Sequence, residues 1–79
     1  MRILYFAQAR LAVGLAEETF HTTESLSAEK LWHLLIHRHP ALLPLQSACR
    51  LSKNSHFLQL GETFHPDDEV ALLPPVSGG

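Results

Sequence analysis

The stretch RILYFA, residues 2–7, decides which fold this sequence can adopt. It predicts a strand with apolar side chains on both faces, which are Ile3, Tyr5 and Ala7 on one and Leu4 and Phe6 on the other. Because successive side chains of a strand point to opposite faces, such a strand is covered on both faces or meets a partner on one. The stretch EVALL, residues 69–73, has the same character. We therefore expect the first and last strands to lie side by side at the centre of one sheet.

A helix is predicted between these two strands. Ser27 is a favourable N-cap residue for a helix that begins at Ala28. The helix is expected to end at about His39, because the residue before Pro40 avoids the helical conformation. At about 100° of rotation per residue, one face of this helix is apolar and carries Ala28, Leu31, Trp32 and Leu35. One helix packed on one face of a mixed sheet predicts an α+β fold of two layers.

Shorter elements are expected on either side of this helix. Residues 40–50 are interrupted by prolines and predict no clear element. The other expected elements are a loose helical turn at residues 8–14 closed by Gly14, strands at 17–22, 51–53 and 56–60, and turns at 54–55 and 65–69.

The bulk properties of the chain exclude several classes of function. Its 79 residues suffice for one domain. Six Lys and Arg residues against eight Asp and Glu residues leave a net charge of −2, which argues against nucleic acid as a partner. Cys49 is the sole cysteine, so no internal disulfide forms and a reducing compartment is favoured. No apolar run approaches the roughly 18 residues of a membrane span. We expect a soluble, cytoplasmic protein with no membrane partner.

Three patterns could carry chemistry within the domain, and each has a simpler interpretation. His33 and His37 have the spacing of two zinc ligands on a helix, but no Glu follows His33 and no cysteine pair is present, which favours a solvated helix face. Cys49 could be a nucleophile, although a small buried apolar residue is the favoured interpretation. The acidic run at residues 67–69 indicates a solvated turn rather than a cation site. We expect the chain to bind no metal or cofactor itself.

The final stretch LLPPVSGG, residues 72–79, indicates that the terminus is the functional part. Pro74 and Pro75 favour an extended backbone and cannot donate hydrogen bonds to a sheet. The six residues from Pro74 can reach about 20 Å. Gly78 and Gly79 lack a Cβ and can enter a channel too narrow for other side chains. We expect a domain over residues 1–73 and an extended tail over 74–79 that delivers the terminal carboxylate into the active site of another protein.

The chemistry of a terminal carboxylate limits what such a tail can do. A carboxylate is a poor electrophile because it is anionic and has no good leaving group. Joining it to AMP at the expense of ATP supplies that leaving group. Attack by a sulfur nucleophile then gives a thiocarboxylate, whereas attack by an amine gives an amide. The residues alone leave both outcomes open.

Several motifs resemble one known family along the whole chain. They are FAQAR at residues 6–10, Gly14, Asn54 and DDEVALLPPVSGG at residues 67–79. Together with the order of the elements and the length, they resemble the small subunits of molybdopterin synthase, which are ubiquitin-like sulfur carriers with a β-grasp fold. The resemblance is weakest between about residues 40 and 53. Two departures are Asp67, where glycine is usual, and Ser52–Lys53, where the family is usually apolar.

The resemblance implies a function that spacing and composition do not show. Gly79, accompanied by Gly78, would be adenylated by an E1-like adenylyltransferase that uses ATP and Mg, and then converted to a thiocarboxylate by a sulfur donor enzyme. The tail would enter the large subunit of molybdopterin synthase, within a heterotetramer, and donate sulfur to cyclic pyranopterin monophosphate. The chain would be a non-catalytic subunit, with the active site on the large subunit. The tail residues that contact the partner would be Pro74, Pro75, Val76 and Ser77.

Related functions remain open at this stage. The chain could carry sulfur for thiamine thiazole or another metabolite, act as a ubiquitin-like protein modifier, or be a β-grasp binding module with an inert tail. In each case one helix cannot cover both faces of the sheet. We therefore expect the second apolar face, including Phe6 and Leu73, to dock the partners.

Overall fold

The computed structural model describes residues 1–75 of the chain. Val76, Ser77, Gly78 and Gly79 of the predicted tail lie outside the described residues. The elements in chain order are β1 (Arg2–Tyr5), α1 (Ala7–Val13), β2 (Glu17–Thr19), α2 (Ala28–Arg38), a 3-10 helix (Pro40–Leu45), β3 (Arg50–Lys53), β4 (His56–Phe57) and β5 (Glu69–Leu73).

The strands within residues 1–75 form one mixed sheet in the order β2-β1-β5-β3-β4. β1 and β5 pair in parallel, with Ile3 opposite Val70 and Tyr5 opposite Leu72. These four side chains are buried on one face of the sheet. The neighbours β2 and β3 add antiparallel pairs on either side. The prediction that the first and last strands lie together at the sheet centre is confirmed.

Helix α2 covers one face of the sheet, as its sequence pattern predicts. Leu31 and Leu35 are fully buried, and Trp32 is buried beside them. The Ser27 hydroxyl accepts a hydrogen bond from the backbone N–H of Lys30 at 3.1 Å, which confirms the predicted N-cap. The result is an α+β fold of two layers, with a parallel central strand pair and one long helix across it, which is the expected β-grasp arrangement.

The cap at Ser27 has a measurable effect on stability. We expect Ser27→Ala to lower the free energy of unfolding by about 1 kcal/mol, because the Lys30 N–H loses its acceptor at the first turn of α2. Urea unfolding followed by circular dichroism measures the change. Ser47→Ala, in the exposed turn after the 3-10 helix, is the control and should lie within about 0.5 kcal/mol of wild type. Equal losses in the two variants would contradict the capping assignment.

The helical segments before and after α2 differ from expectation. Helix α1 has seven residues rather than one loose turn, and Gly14 ends it with a φ of 83°, the left-handed conformation expected of that glycine. The 3-10 helix was not predicted. Pro40 starts it, Pro44 lies within it, and Leu42 anchors it in the core as a fully buried side chain.

Three predicted strands are shorter than expected. β1 ends at Tyr5, because Phe6 is the N-cap of α1, which begins at Ala7. β2 ends at Thr19 rather than residue 22, although Phe20 beyond it still exchanges two backbone hydrogen bonds with Met1, at 2.8 and 2.9 Å. β4 covers only residues 56–57, because the chain soon enters a turn in which the Glu62 N–H donates to the Gln59 carbonyl at 3.1 Å and Gly61 has a φ of 85°.

Neither departure from the family pattern disturbs the sheet. The residues with positive φ other than glycine, within residues 1–75, are Ala7, Asn54 and Ser55. Asp67 is not among them, so its position does not require glycine. Ser52 and Lys53 belong to β3 despite their polarity. Asn54 and Ser55 form the predicted two-residue turn between β3 and β4, where positive φ at both positions suits the twist of a hairpin.

Candidate functional site

Strand β5 carries the chain to the base of the predicted tail. It is the middle strand of the sheet, and its last residue, Leu73, is paired with Arg50 of β3. Pro74 is half-buried and Pro75 is exposed beyond it. The chain therefore leaves the sheet from its central strand, and the tail begins beside the sheet surface around Leu73.

We call the sheet surface opposite α2 the open face. Its side chains point away from the helices. One row of this face crosses all five strands within residues 1–75, because the pairing registers align Glu17, Leu4, Ala71, Ser52 and Phe57. Leu73 lies two residues along β5 from Ala71 and therefore points the same way. The open face is thus apolar at its centre and beside the base of the tail.

A pocket of about 320 Å³ lies on the open face. Its lining residues are Leu4, Phe6, Ser52, Ser55, His56, Phe57, Glu69, Ala71 and Leu73. The structure therefore brings together Phe6 and Leu73, the two docking residues expected from the sequence. It adds Phe57, which sequence reasoning missed even though Phe57 lies in a predicted strand. Phe6 and Phe57 are 46% and 44% exposed, and two exposed aromatic residues that line one pocket indicate an interaction surface.

The backbone at Ala7 explains how Phe6 reaches this face. Phe6 was expected within the first strand, but it is the extended N-cap of α1, with a φ of −119°. Ala7 has a φ of 48°, a left-handed conformation that costs an L-residue roughly 1–2 kcal/mol. This turn sends the chain into α1 on the helical side while the Phe6 ring stays beside Leu4 on the open face.

A hydrogen-bonded turn fixes the start of β5. The buried Asp68 carboxylate accepts hydrogen bonds from the His65 backbone N–H at 2.7 Å and from Asn54 Nδ2 at 3.0 Å. Lys53 Nζ lies 3.6 Å from the same carboxylate. Burial acts to raise the pKa of Asp68, but these donors and the ammonium together hold it below its usual range. The Asn54 side chain also accepts from the Glu69 N–H at 2.9 Å, so the turn sets the register of β5.

The pH dependence of stability tests this turn. Because folding depresses the pKa of Asp68, its contribution is complete above the ordinary carboxyl range and is lost as the pH falls through the folded-state value. We expect Asp68→Asn to lower the free energy of unfolding by about 1–2 kcal/mol at pH 7 and by less under acid conditions. Unfolding in urea between pH 7 and pH 3 measures both. Asp67→Asn, at the exposed neighbouring carboxylate, is the control, and matching losses at every pH would contradict the assignment.

A second polar cluster lies on the helical side of the sheet. The Glu18 carboxylate accepts a hydrogen bond from the Tyr5 hydroxyl and lies within hydrogen-bonding distance of His39 Nε2, with Arg38 Nη1 at 3.5 Å. Burial acts to raise the pKa of Glu18, but these contacts hold it below its usual range. Burial, and then the bond to Glu18, raise the pKa of Tyr5. The cluster fastens the end of α2 to β2 and takes no part in the open face.

The other sequence candidates lie away from the open face or lack reactive character. His33 and His37 are exposed on α2. Within the part of the chain that the structure describes, no group of three or more His, Cys, Asp or Glu side chains is arranged to hold a metal ion. Cys49 is half-buried, and this burial raises the pKa of its thiol to about 11, so the thiol is protonated at neutral pH. No helix within residues 1–75 is long and apolar enough to cross a membrane.

The sequence is similar to known proteins over almost its whole length. A family model described as the ThiS family matches residues 3–79. The molybdopterin synthase sulfur carrier subunit of Chlamydomonas reinhardtii is 36% identical over 81 residues, which cover 100% of this chain and 98% of that protein. The subunit of the same name from Homo sapiens is 30% identical over 82 residues, covering 100% of this chain and 93% of that protein.

Solved structures show the same architecture. SAMP1 from Haloferax volcanii aligns with a TM-score of 0.83 and 26% identity, over 99% of this chain and 97% of that one. A complex of subunits 1 and 2 of the molybdopterin-converting factor from Helicobacter pylori contains a chain that aligns with a TM-score of 0.66 and 20% identity, over 99% of this chain and 96% of that one. At that identity the second likeness is one of fold.

Proposed function

The chain belongs to the ThiS family, and we propose on this premise that it is a sulfur carrier in molybdenum cofactor biosynthesis. The observation that carries the proposal is similarity over the full chain, tail included, to proteins named molybdopterin synthase sulfur carrier subunit. The resemblance inferred from FAQAR and the final thirteen residues is confirmed at the level of the family. An apolar pocket beside the base of the tail suits a chain that works by docking.

The proposed chemistry begins at the carboxylate of Gly79. This carboxylate attacks the α-phosphorus of ATP within an E1-like adenylyltransferase, which uses Mg and releases pyrophosphate. Hydrosulfide (HS⁻) delivered by a sulfur donor enzyme then attacks the acyl carbon, AMP leaves, and the resulting thioacid loses its proton. The product is a thiocarboxylate at Gly79, with Gly78 next to it in the tail. ATP and Mg belong to the activating enzyme in this scheme.

Transfer of the sulfur would take place on a second protein. The tail, including Pro74 to Ser77, enters the large subunit of molybdopterin synthase and presents the thiocarboxylate to cyclic pyranopterin monophosphate. We assign the catalytic groups to the large subunit and the delivery of sulfur to this chain. The thiocarboxylate sulfur attacks a carbon of the pterin and displaces an oxygen substituent, which gives a thioester. Water then hydrolyses this thioester, breaks the bond between sulfur and the acyl carbon, and regenerates the carboxylate for another cycle.

The proposed partner follows from the composition of one structural neighbour. The Helicobacter pylori structure is a complex of subunits 1 and 2 of the molybdopterin-converting factor. We propose a corresponding large subunit as the partner of this chain, in a cytoplasmic heterotetramer. The exposed aromatic rings of Phe6 and Phe57, together with Leu73, supply the apolar centre that protein interfaces require.

Reconstitution tests this function directly. The chain is incubated with the activating enzyme, ATP, Mg and sulfide, freed of small molecules, and mixed with the large subunit and cyclic pyranopterin monophosphate. We expect molybdopterin to form in proportion to the treated chain, and no product from a control sample treated without ATP. A treated chain that gives no molybdopterin but supports thiazole assembly, or becomes attached to lysines, would replace this proposal with one of the alternatives.

A further inference from the structure

A positively charged side chain lies at the rim of the open face, where β5 ends. Arg50 begins β3 and is paired in register with Leu73. Arg50 points the same way as Ser52, which lines the pocket of the open face. Its guanidinium carbon lies 3.6 Å from the centre of the Phe57 ring. The charge is therefore held beside the point at which the chain leaves the sheet.

Stacking on Phe57 leaves the hydrogen-bonding edge of Arg50 available. A cation over an aromatic ring uses the flat face of the guanidinium. Its five N–H groups lie in the guanidinium plane, and two of them match the two oxygens of a carboxylate. Because the ring already restricts the side chain, binding such a carboxylate loses less conformational entropy than it would at a freely moving arginine.

Charge is unevenly distributed along β5 on the open face. Near the start of the strand, Arg2 is held between Glu17 and Glu69, so two acids surround one cation. Near its end, Arg50 has no acidic side chain within ion-pair distance among residues 1–75. The face is therefore negative at one end and positive at the other. A partner surface with the opposite distribution can dock in only one of the two directions along the strand.

We propose that Arg50 binds a carboxylate of the protein that receives the tail and thereby fixes the direction in which the tail enters. The proposal rests on the function proposed above, because the partner is then the large synthase subunit. Apolar contacts at Phe6 and Leu73 supply affinity but set direction poorly, because the burial of apolar surface is non-directional. Arg50 is a positioning residue, and Phe57 is its support.

Two matched variants test this role. Arg50→Met and Lys30→Met each remove one positive charge from an exposed side chain, but Lys30 lies on α2, in the other layer. The dissociation constant for the large synthase subunit of the same organism is measured by calorimetry at about 0.05 M and about 0.5 M salt. We expect Arg50→Met to weaken binding about tenfold at the lower salt concentration and by a smaller factor at the higher. Lys30→Met should bind like wild type at both.

A conservative variant and a fold control complete the test. Arg50→Lys keeps the charge but loses the planar fork, so it should recover only part of the affinity and keep the salt dependence. Circular dichroism establishes that each variant is folded. Wild-type affinity for Arg50→Met at both salt concentrations overturns the proposal, as does an equal loss in Lys30→Met. If the unaltered chain does not bind the large subunit, the proposed function fails and this inference fails with it.

Discussion

Deleting Gly79 alone is expected to abolish molybdopterin formation while changing the free energy of unfolding by less than about 0.5 kcal/mol. One residue spans about 3.3–3.6 Å, so the deletion withdraws the terminal carboxylate from the reacting centre by up to that distance. A misplacement of about 1 Å can already cost a factor of about 100 in rate. The sheet and α2 lie entirely within residues 1–75, so the deletion leaves the core contacts in place. Reconstituted molybdopterin synthesis and urea unfolding measure the two quantities.

A chain with one added glycine after Gly79 is the matched control for this deletion. It moves the carboxylate by a similar distance in the opposite direction, so it should also be inactive if reach is what matters. Gly79→Ala keeps the length and tests whether the site tolerates a Cβ. Molybdopterin formation by the shortened chain at the wild-type rate would refute the role of Gly79.

Charge substitutions on the open face are expected to have the second-largest effect. Phe6→Asp and Leu73→Asp should each weaken binding of the large subunit by at least about 100-fold, because each removes an apolar anchor and leaves a carboxylate to be desolvated in the interface. Phe6 is 46% exposed at the cap of α1, so its replacement should leave the domain folded. Surface plasmon resonance gives the affinities, and circular dichroism gives the unfolding midpoints.

Leu43→Asp is the control for these substitutions. Leu43 is 59% exposed on the 3-10 helix, away from the pocket of the open face, so its replacement introduces the same charge without touching the docking surface. We expect wild-type affinity for it. Leu73 is half-buried in β5, so Leu73→Asp could also lower the unfolding midpoint. In that case the affinity of Phe6→Asp alone tests whether the open face docks the large subunit. Intact binding by a folded Phe6→Asp chain would show that the open face is not the docking surface.

Local signals made the centre of the fold predictable from sequence. The apolar runs around Ile3 and Val70 placed β1 and β5 together, because strands that are apolar on both faces belong inside a sheet. Ser27 and Pro40 set the limits of α2 through capping and steric restriction, which depend on a few neighbouring residues. Docking residues Phe6 and Leu73 were expected for the same reason, and the structure brings both to one pocket.

Features that depend on contacts between distant segments were not predictable. β2 and β4 are shorter than predicted because the end of a strand depends on which backbone groups of the partner strand lie within hydrogen-bonding distance. The residues of β2 and β4 do not encode this. The 3-10 helix relies on burial of Leu42 in the core and on packing against both α2 and the distant α1. The positions of Phe57 and Arg50 next to the end of β5 result from the pairing of β3 with β4 and β5, which the local sequence does not show. Val76 to Gly79 lie outside the described residues, so their role stays a prediction.

The central claim is that the terminal carbonyl of Gly79 accepts sulfur, and intact-mass spectrometry tests it most directly. The purified chain is incubated with its activating enzyme, ATP, Mg and sulfide, and its intact mass is then measured. The account predicts a gain equal to the mass difference between one sulfur and one oxygen, located in the C-terminal peptide and absent when ATP is omitted. An unchanged mass in the presence of an active activating enzyme, or a gain located at any other residue, would contradict it.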